Sequence, residues 1–293
     1  MILAVLLAFL NIVFPKEGAR FHHIEHLYLI GATDSKTLSV NGEEIAVHPM
    51  GGWVAYVDCH EGTNVVEVGG MKRAFTVAEK KPNLGEVEVP LYNKLEYASD
   101  TPCTNCRRVV VLDPGHGGKK DLGTLSPHNL PEKDLNLLLA MAVRKELVDR
   151  GIEVIMTRED DSGVELYERA RVAHERKAAA FVSIHHNAPP VDRDPRQLRY
   201  HAVYVWNDLG AQLAERINRR MAETLEIPNN GVIRANYAVT RSPEIPSCLI
   251  EVDFATTPEG EIDCWNIERR KRNAEAIARG IVDWLESGII SGK

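Results

Sequence analysis

Val109-Val110-Val111-Leu112-Asp113-Pro114-Gly115-His116-Gly117-Gly118 is the stretch on which the fold turns. Its apolar residues run without alternation, the texture of a strand covered on both faces. The run breaks into a loop whose proline and glycines leave little bulk around one imidazole. Toward the C-terminus, strand and helix patterns alternate. Strands are expected at 109–112, 153–157, 180–184, 202–206 and 248–254, with a weaker one near 238–240. Helices are expected at about 132–149, 164–177, 209–225 and 259–286. Such alternation means an α/β fold, a mostly parallel sheet flanked by helices on both faces. Sheets of this kind place ligands at the carboxyl ends of their strands, where His116 stands. The loop lacks GxGxxG and GxxxxGK[ST], so it is not read as a phosphate cradle.

N-terminal to this unit the texture is different. Leu27–Ile30, Thr37–Val40, Glu44–Val47, Trp53–Val57, Asn64–Val68 and Ala74–Val77 read as short strands, with Asn41-Gly42 as a hairpin turn. Residues 22–79 are therefore expected to form a small all-β sandwich preceding the α/β unit. The turn spacing in this region resembles bacterial immunoglobulin-like modules of envelope proteins. Residues 80–107 carry Pro82, Gly85, Pro90 and Pro102 and read as a linker. Its Cys103-Thr104-Asn105-Cys106 is half of a zinc ribbon with no second half in the chain, so a local disulfide or free thiols are expected. Cys59, Cys248 and Cys264 are read as small buried or half-buried residues.

Ile2 to Phe14 is apolar except for Asn11, too short for a membrane helix of roughly 20 residues but suited to the core of an export signal. Residues 1–19 are read as that signal or a short anchor, and the protein as exported, periplasmic or cell-wall-associated. The alternative is a buried N-terminal strand or helix. At 293 residues the chain exceeds the roughly 100–200 residues of one domain. Hydrophobic residues at 44% and charged residues at 26% exclude a disordered, collagen-like or polytopic membrane protein. A net charge of −7 gives no footprint for nucleic acid, and five cysteines are too few for a disulfide scaffold.

Four residues of the α/β unit are candidates for chemistry. His116 is the first. Glu132 opens a helix whose apolar face is Leu135, Leu138, Leu139, Ala142, Val143 and Leu147, and it continues that face at the first turn. Helical side chains lean toward the N-terminus, which aims this carboxylate past the sheet edge. The competing explanation is an acidic residue favoured by the helix dipole, which Asp134 fits better. His185-His186-Asn187 ends an apolar strand, and neighbouring strand residues face opposite ways, so at most one of the two imidazoles joins His116. Two strand-end histidines and a helix-start glutamate make a His-Glu-His set with one open position, the pattern of catalytic zinc. Glu251 sits in an apolar strand and must be desolvated, paired or metal-linked. Desolvation would tune it as a general acid/base, Asp253 on the same face would support it, and Arg234 or Arg241 would be its structural partners otherwise.

Together "VVVLDPGHGG" (109–118), "EKDLNL" (132–137), "SIHHNA" (183–188) and "PSCLIEVDFATTPEGE" (246–261) resemble the zinc-dependent N-acetylmuramoyl-L-alanine amidases of the amidase-3 family, in the family's order. The resemblance makes residues 108–290 the catalytic domain. It implies one Zn2+ bound by His116, Glu132 and His185, with Glu251 as the catalytic glutamate. The implied reaction cleaves the amide between the lactyl group of N-acetylmuramic acid and L-alanine of the peptidoglycan stem peptide. Arg169 would order the helix and loops. The chain departs from the family at His174, at Tyr200-His201-Ala202, where a glycine is usual, and at His186, which stands where a small residue is usual and would compete as a ligand or touch substrate. The connection from Pro189 to Arg199 is too short for an inhibitory insertion, so no internal helix is expected to plug the site. The rival readings are an inactive cell-wall-binding or regulatory homologue and a zinc peptidase cutting within stem peptides. The expected partner is peptidoglycan, with a cell-envelope partner for the β module left open, no nucleic acid, and membrane contact only through the N-terminal signal or anchor.

Overall fold

The computed structural model describes residues 9–78, 107–242 and 244–287. The N-terminal module consists of strands β1 (Leu10–Phe14), β2 (Ala19–His22), β3 (His26–Thr33), β4 (Thr37–Val40), β5 (Glu43–Ala46), β6 (Gly52–Asp58), β7 (Gly62–Val68) and β8 (Met71–Ala78). They form a three-stranded sheet, β1-β3-β6, and a five-stranded sheet, β2-β8-β7-β4-β5. Side chains of both sheets meet in one core, Leu27, Leu29 and Trp53 against Val68, Phe75 and Val77. This is the two-layer sandwich expected from the alternating runs. Asn41 and Gly42 both take left-handed backbone, φ 51° and 86°, which suits a tight hairpin between β4 and β5.

The N-terminal boundary is corrected by the structure. Leu10–Phe14, the end of the apolar run read as a leader, is β1, paired antiparallel with β3, and Ile12 and Val13 are buried. The β module therefore begins ahead of residue 22, and cleavage after Ala19 would strip a strand from it. A buried strand, the alternative weighed for this run, describes residues 10–14.

The α/β unit runs β9 (Arg107–Pro114), α1 (Glu132–Val148), β10 (Glu153–Met156), α2 (Leu166–Glu175), β11 (Ala178–Asn187), β12 (His201–Val205), α3 (Asp208–Thr224), β13 (Asn229–Arg234), β14 (Ser247–Phe254), α4 (Pro258–Trp265) and α5 (Ile267–Glu286). Sheet order is β10-β9-β11-β14-β12-β13, parallel throughout except for the antiparallel β12–β14 pair. Val110, Leu112, Val182 and Ile250 face α1, α3 and α5 in one core. Val111, Phe181 and Leu249 face α2 on the other side. Helices thus cover both faces, as the unbroken apolar strands require.

Three elements differ from expectation. β13 was not foreseen, the strand near 238–240 is a single 3-10 turn, and the helix expected at 259–286 is two. Asn266 makes that break: its backbone is extended and its side-chain oxygen accepts the Arg269 N–H at 3.0 Å, capping α5. The expected linker and its Cys103/Cys106 pair fall almost wholly outside the described residues.

The sandwich's three-stranded sheet is covered on its outer face as well. Val13, Tyr28, Ile30 and Val54 form a second apolar layer there, joined by Leu125 of the α/β unit. The segment between β11 and β12 docks on it: Tyr28 N–H donates to Val191 O at 3.3 Å and the Tyr56 hydroxyl to Asp192 O at 2.7 Å. On another edge His128 Nε2 lies 3.0 Å from Met50 O, while its Nδ1 meets the buried Glu261 carboxylate at 2.6 Å.

Candidate metal centre

β9, α1 and β11 deliver one side chain each to the carboxyl edge of the sheet. His116 follows β9 in left-handed backbone, φ 62°, an unusual conformation for a residue with a side chain. Gly115 before it is obligatory in space, because a Cβ there would lie 2.1 Å from the His185 ring. Glu132 is the first residue of α1 and His185 lies near the end of β11. One ligand atom from each of His116, Glu132 and His185 falls within 4.8 Å of the others. Nε2 of His116 is 3.2 Å, and Nδ1 of His185 3.0 Å, from the same Glu132 oxygen.

The surroundings fix these three groups. His116 Nδ1 donates to Asp121 at 2.6 Å, leaving Nε2 to face inward. The second Glu132 oxygen accepts the Thr124 N–H at 2.9 Å, while the first accepts from Asn136 Nδ2 at 3.2 Å and the His186 N–H at 3.3 Å. Burial alone would push the Glu132 carboxyl up, but bonds from the two imidazoles hold it well below the usual range. Burial pulls His116 down, yet the carboxylates of Glu132 and Asp121 bring it up to about 8. Two guanidiniums brace the loop from beneath. Arg169 donates to Asp113, Pro114 O and His116 O at 2.8–3.0 Å, and Arg158 to Pro114 O, Gly115 O and Lys133 O.

His186 lies outside the His116–Glu132–His185 cluster. It is buried, and its Nδ1 donates to the Asn136 side-chain oxygen at 2.8 Å, which turns the Asn136 amide nitrogen toward Glu132. Glu251 lies beside His185 in the β11–β14 register. One of its oxygens is shut off from solvent with no bonding partner among the described residues. Neither suggested arginine reaches it: Arg234 pairs with Asp208 and Arg241 with Asn236 O. Asp253 is likewise engaged elsewhere, by Arg199. Burial, and secondarily the charge of Glu132, pushes the Glu251 carboxyl well above its usual range.

Sequence reading missed Asp121, Asn136, Arg158 and Tyr237. Asn136 had a usable signal, since it lies one helical turn after Glu132 on the same face. Tyr237 packs edge-on against Tyr204 at 5.3 Å, and the Glu251 charge bears on both rings. Nothing in the spacing of these tyrosines foretold that. The connection between β11 and β12 holds only one 3-10 turn, Pro195–Gln197, and no helix of it enters the site.

Residues 110–283 match the family model described as N-acetylmuramoyl-L-alanine amidase. The chain is 29% identical over 226 residues to the N-acetylmuramoyl-L-alanine amidase AmiA of Escherichia coli, covering 61% of this chain and 76% of that one. Among solved structures it is similar to amidase AmiC2 of Nostoc punctiforme, with 36% identity, a TM-score of 0.57, and coverage of 62% of this chain and 99% of that one. It is also similar to the catalytic domain of the amidase CwlV from Bacillus (Paenibacillus) polymyxa, with 30% identity, a TM-score of 0.58, and coverage of 61% and 99%. With the matched span carrying the His-Glu-His cluster and Glu251, the chain belongs to the N-acetylmuramoyl-L-alanine amidase family.

Proposed function

We propose that His116 Nε2, a Glu132 oxygen and His185 Nδ1 hold one zinc ion, and that Glu251 is the acid/base in hydrolysis of the lactyl–L-alanine amide of peptidoglycan. The donor set fits: two imidazole nitrogens and one carboxylate suit a borderline-soft divalent cation and leave a coordination position open. When bound, such an ion polarises the amide carbonyl and eases deprotonation of water. Asp121 and Asn136 keep His116 and Glu132 aimed inward. Glu251 takes the proton of the attacking water and returns it to the departing alanine nitrogen. A carboxyl raised by burial is suited to both transfers near neutral pH. The register that sets Glu251 beside His185, with a bare oxygen, is the observation that carries this reading.

Residues 108–290 would be the catalytic unit and the sandwich an accessory module. The reaction belongs outside the cytoplasm, where peptidoglycan lies. A relative of 32% identity, from Staphylococcus epidermidis, is called a probable cell wall amidase, which supports that placement. No described helix is long and apolar enough to cross a membrane.

Mass spectrometry of products from purified peptidoglycan, with and without a zinc chelator, tests the proposal. Intact stem peptides with free N-terminal alanine, lost on chelation, are expected. Stems cut internally while still attached to muramic acid would replace the reading with that of a peptidase. No product from folded, zinc-loaded protein would favour the inactive homologue.

A further inference from the structure

Between the sandwich and the catalytic unit lies a cleft of about 520 Å³. Phe14, Phe21 and Tyr28 form its wall on the sandwich side, with the Phe14 ring tilted by 32° at 4.9 Å from Tyr28 and edge-on at 5.9 Å to Phe21. The facing wall is the segment Lys120–Leu125. Lys16 and Lys120 stand at the rim, exposed, one from each unit, and neither ammonium has a carboxylate within 4.0 Å among the described residues. In a chain of net charge −7, two unpaired cations beside an aromatic wall, with the lining carboxylate of Asp121 held by His116, form a local site for an anionic ligand with apolar parts.

The segment that walls this cleft also secures the metal ligands. Asp121 holds His116, the Thr124 N–H holds Glu132, and Gly123, with φ 67°, passes so close that a Cβ would lie 2.5 Å from the Glu132 carboxylate. The same segment thus borders the cleft and bonds two of the candidate ligands, and the sandwich supplies the other half of the cleft's lining.

We infer that this cleft seats the acidic peptide stem of the substrate, with its carboxylates on Lys16 and Lys120 and its apolar parts against Phe14, Phe21 and Tyr28. The inference rests on the amidase reading and extends it. The β module becomes part of the substrate site, and the enzyme prefers stems with free carboxylates over amidated ones.

Calorimetric titration of the full chain with L-alanyl-γ-D-glutamyl-diaminopimelate, and with the same tripeptide amidated at its carboxyls, tests this directly. The Lys16→Glu/Lys120→Glu double variant should bind the acidic tripeptide at least about tenfold more weakly. Its ratio of kcat/KM for muramoyl-tripeptide over muramoyl-L-alanine amide should fall similarly. Lys72→Glu, at the β7–β8 hairpin away from the cleft, should leave both measures as in the parent. Equal affinity for acidic and amidated tripeptides, or a double variant indistinguishable from Lys72→Glu, would overturn the cleft assignment even if lactyl–alanine cleavage is observed. Lysine-dependent tripeptide binding without any such cleavage would keep the cleft and remove the amidase reading instead.

Discussion

His186 adjoins a candidate ligand in sequence, yet its ring reaches the centre only through another side chain. Its ring fixes Asn136, and Asn136 aims an N–H at Glu132. His186→Ala should therefore weaken metal binding by about 10–100-fold, the usual cost of losing such support, measured by competition with a chromogenic chelator. Glu251→Gln should keep the metal and lose activity by about 10²–10⁴-fold, whereas His116→Ala should lose the metal itself. A Glu251 variant that could not retain metal would mean the roles are misassigned. The titration of His116 sets a pH dependence for the chelated protein. Its pKa, about 8, lies above the ordinary imidazole value, so its stabilising contribution is complete below about 6.5 and lost as pH rises through 8. Thermal melts with chelator at pH 6.5 and 8.5 should show this fall, and Asp121→Asn should flatten it. His116, Glu132 and His185 were legible because strand ends and a helix start are where such sheets build sites. Which imidazole of the 185–186 pair turned inward was left open by the residues alone, since alternation tells that they face apart but not which way.

Among the elements, two glycines mark where backbones or rings pass too close for a methyl group. Gly115→Ala would drive a carbon into the His185 ring, so loss of metal is expected at a modest cost in stability. Gly280→Ala places a carbon 2.4 Å from Ile217 Cα, where α5 crosses α3. That variant should lower the melting temperature, by roughly 1–3 kcal/mol of overpacking, while binding metal normally. Calorimetry beside metal titration separates the two effects. The elements that went unread had weak local signals. β13 is Asn-Asn-Gly-Val-Ile-Arg, largely polar at its ends, and it exists by pairing with β12. Asn266 interrupts an otherwise continuous helical pattern by acting as a cap, a choice made by side-chain hydrogen bonding rather than periodicity. Leu10–Phe14 has the composition of a leader, and only its pairing with β3 distinguishes it as a strand.

Across the whole molecule, the three-stranded sheet of the sandwich is apolar on both faces, one toward its own partner sheet and one toward Leu125 and the β11–β12 connection. Neither unit can unfold without baring surface that the other normally hides. The chain should accordingly behave as one cooperative body, giving a single calorimetric peak with matching van't Hoff and calorimetric enthalpies. Linkage then spreads the effect of an ion bound only at one edge: at a hundredfold excess over its dissociation constant it adds about 2.7 kcal/mol to the native state as a whole. Chelation should therefore make the N-terminal strands, which hold no ligand, exchange their amide hydrogens faster. A metal bound there would thus act as a distant clamp on the N-terminal module.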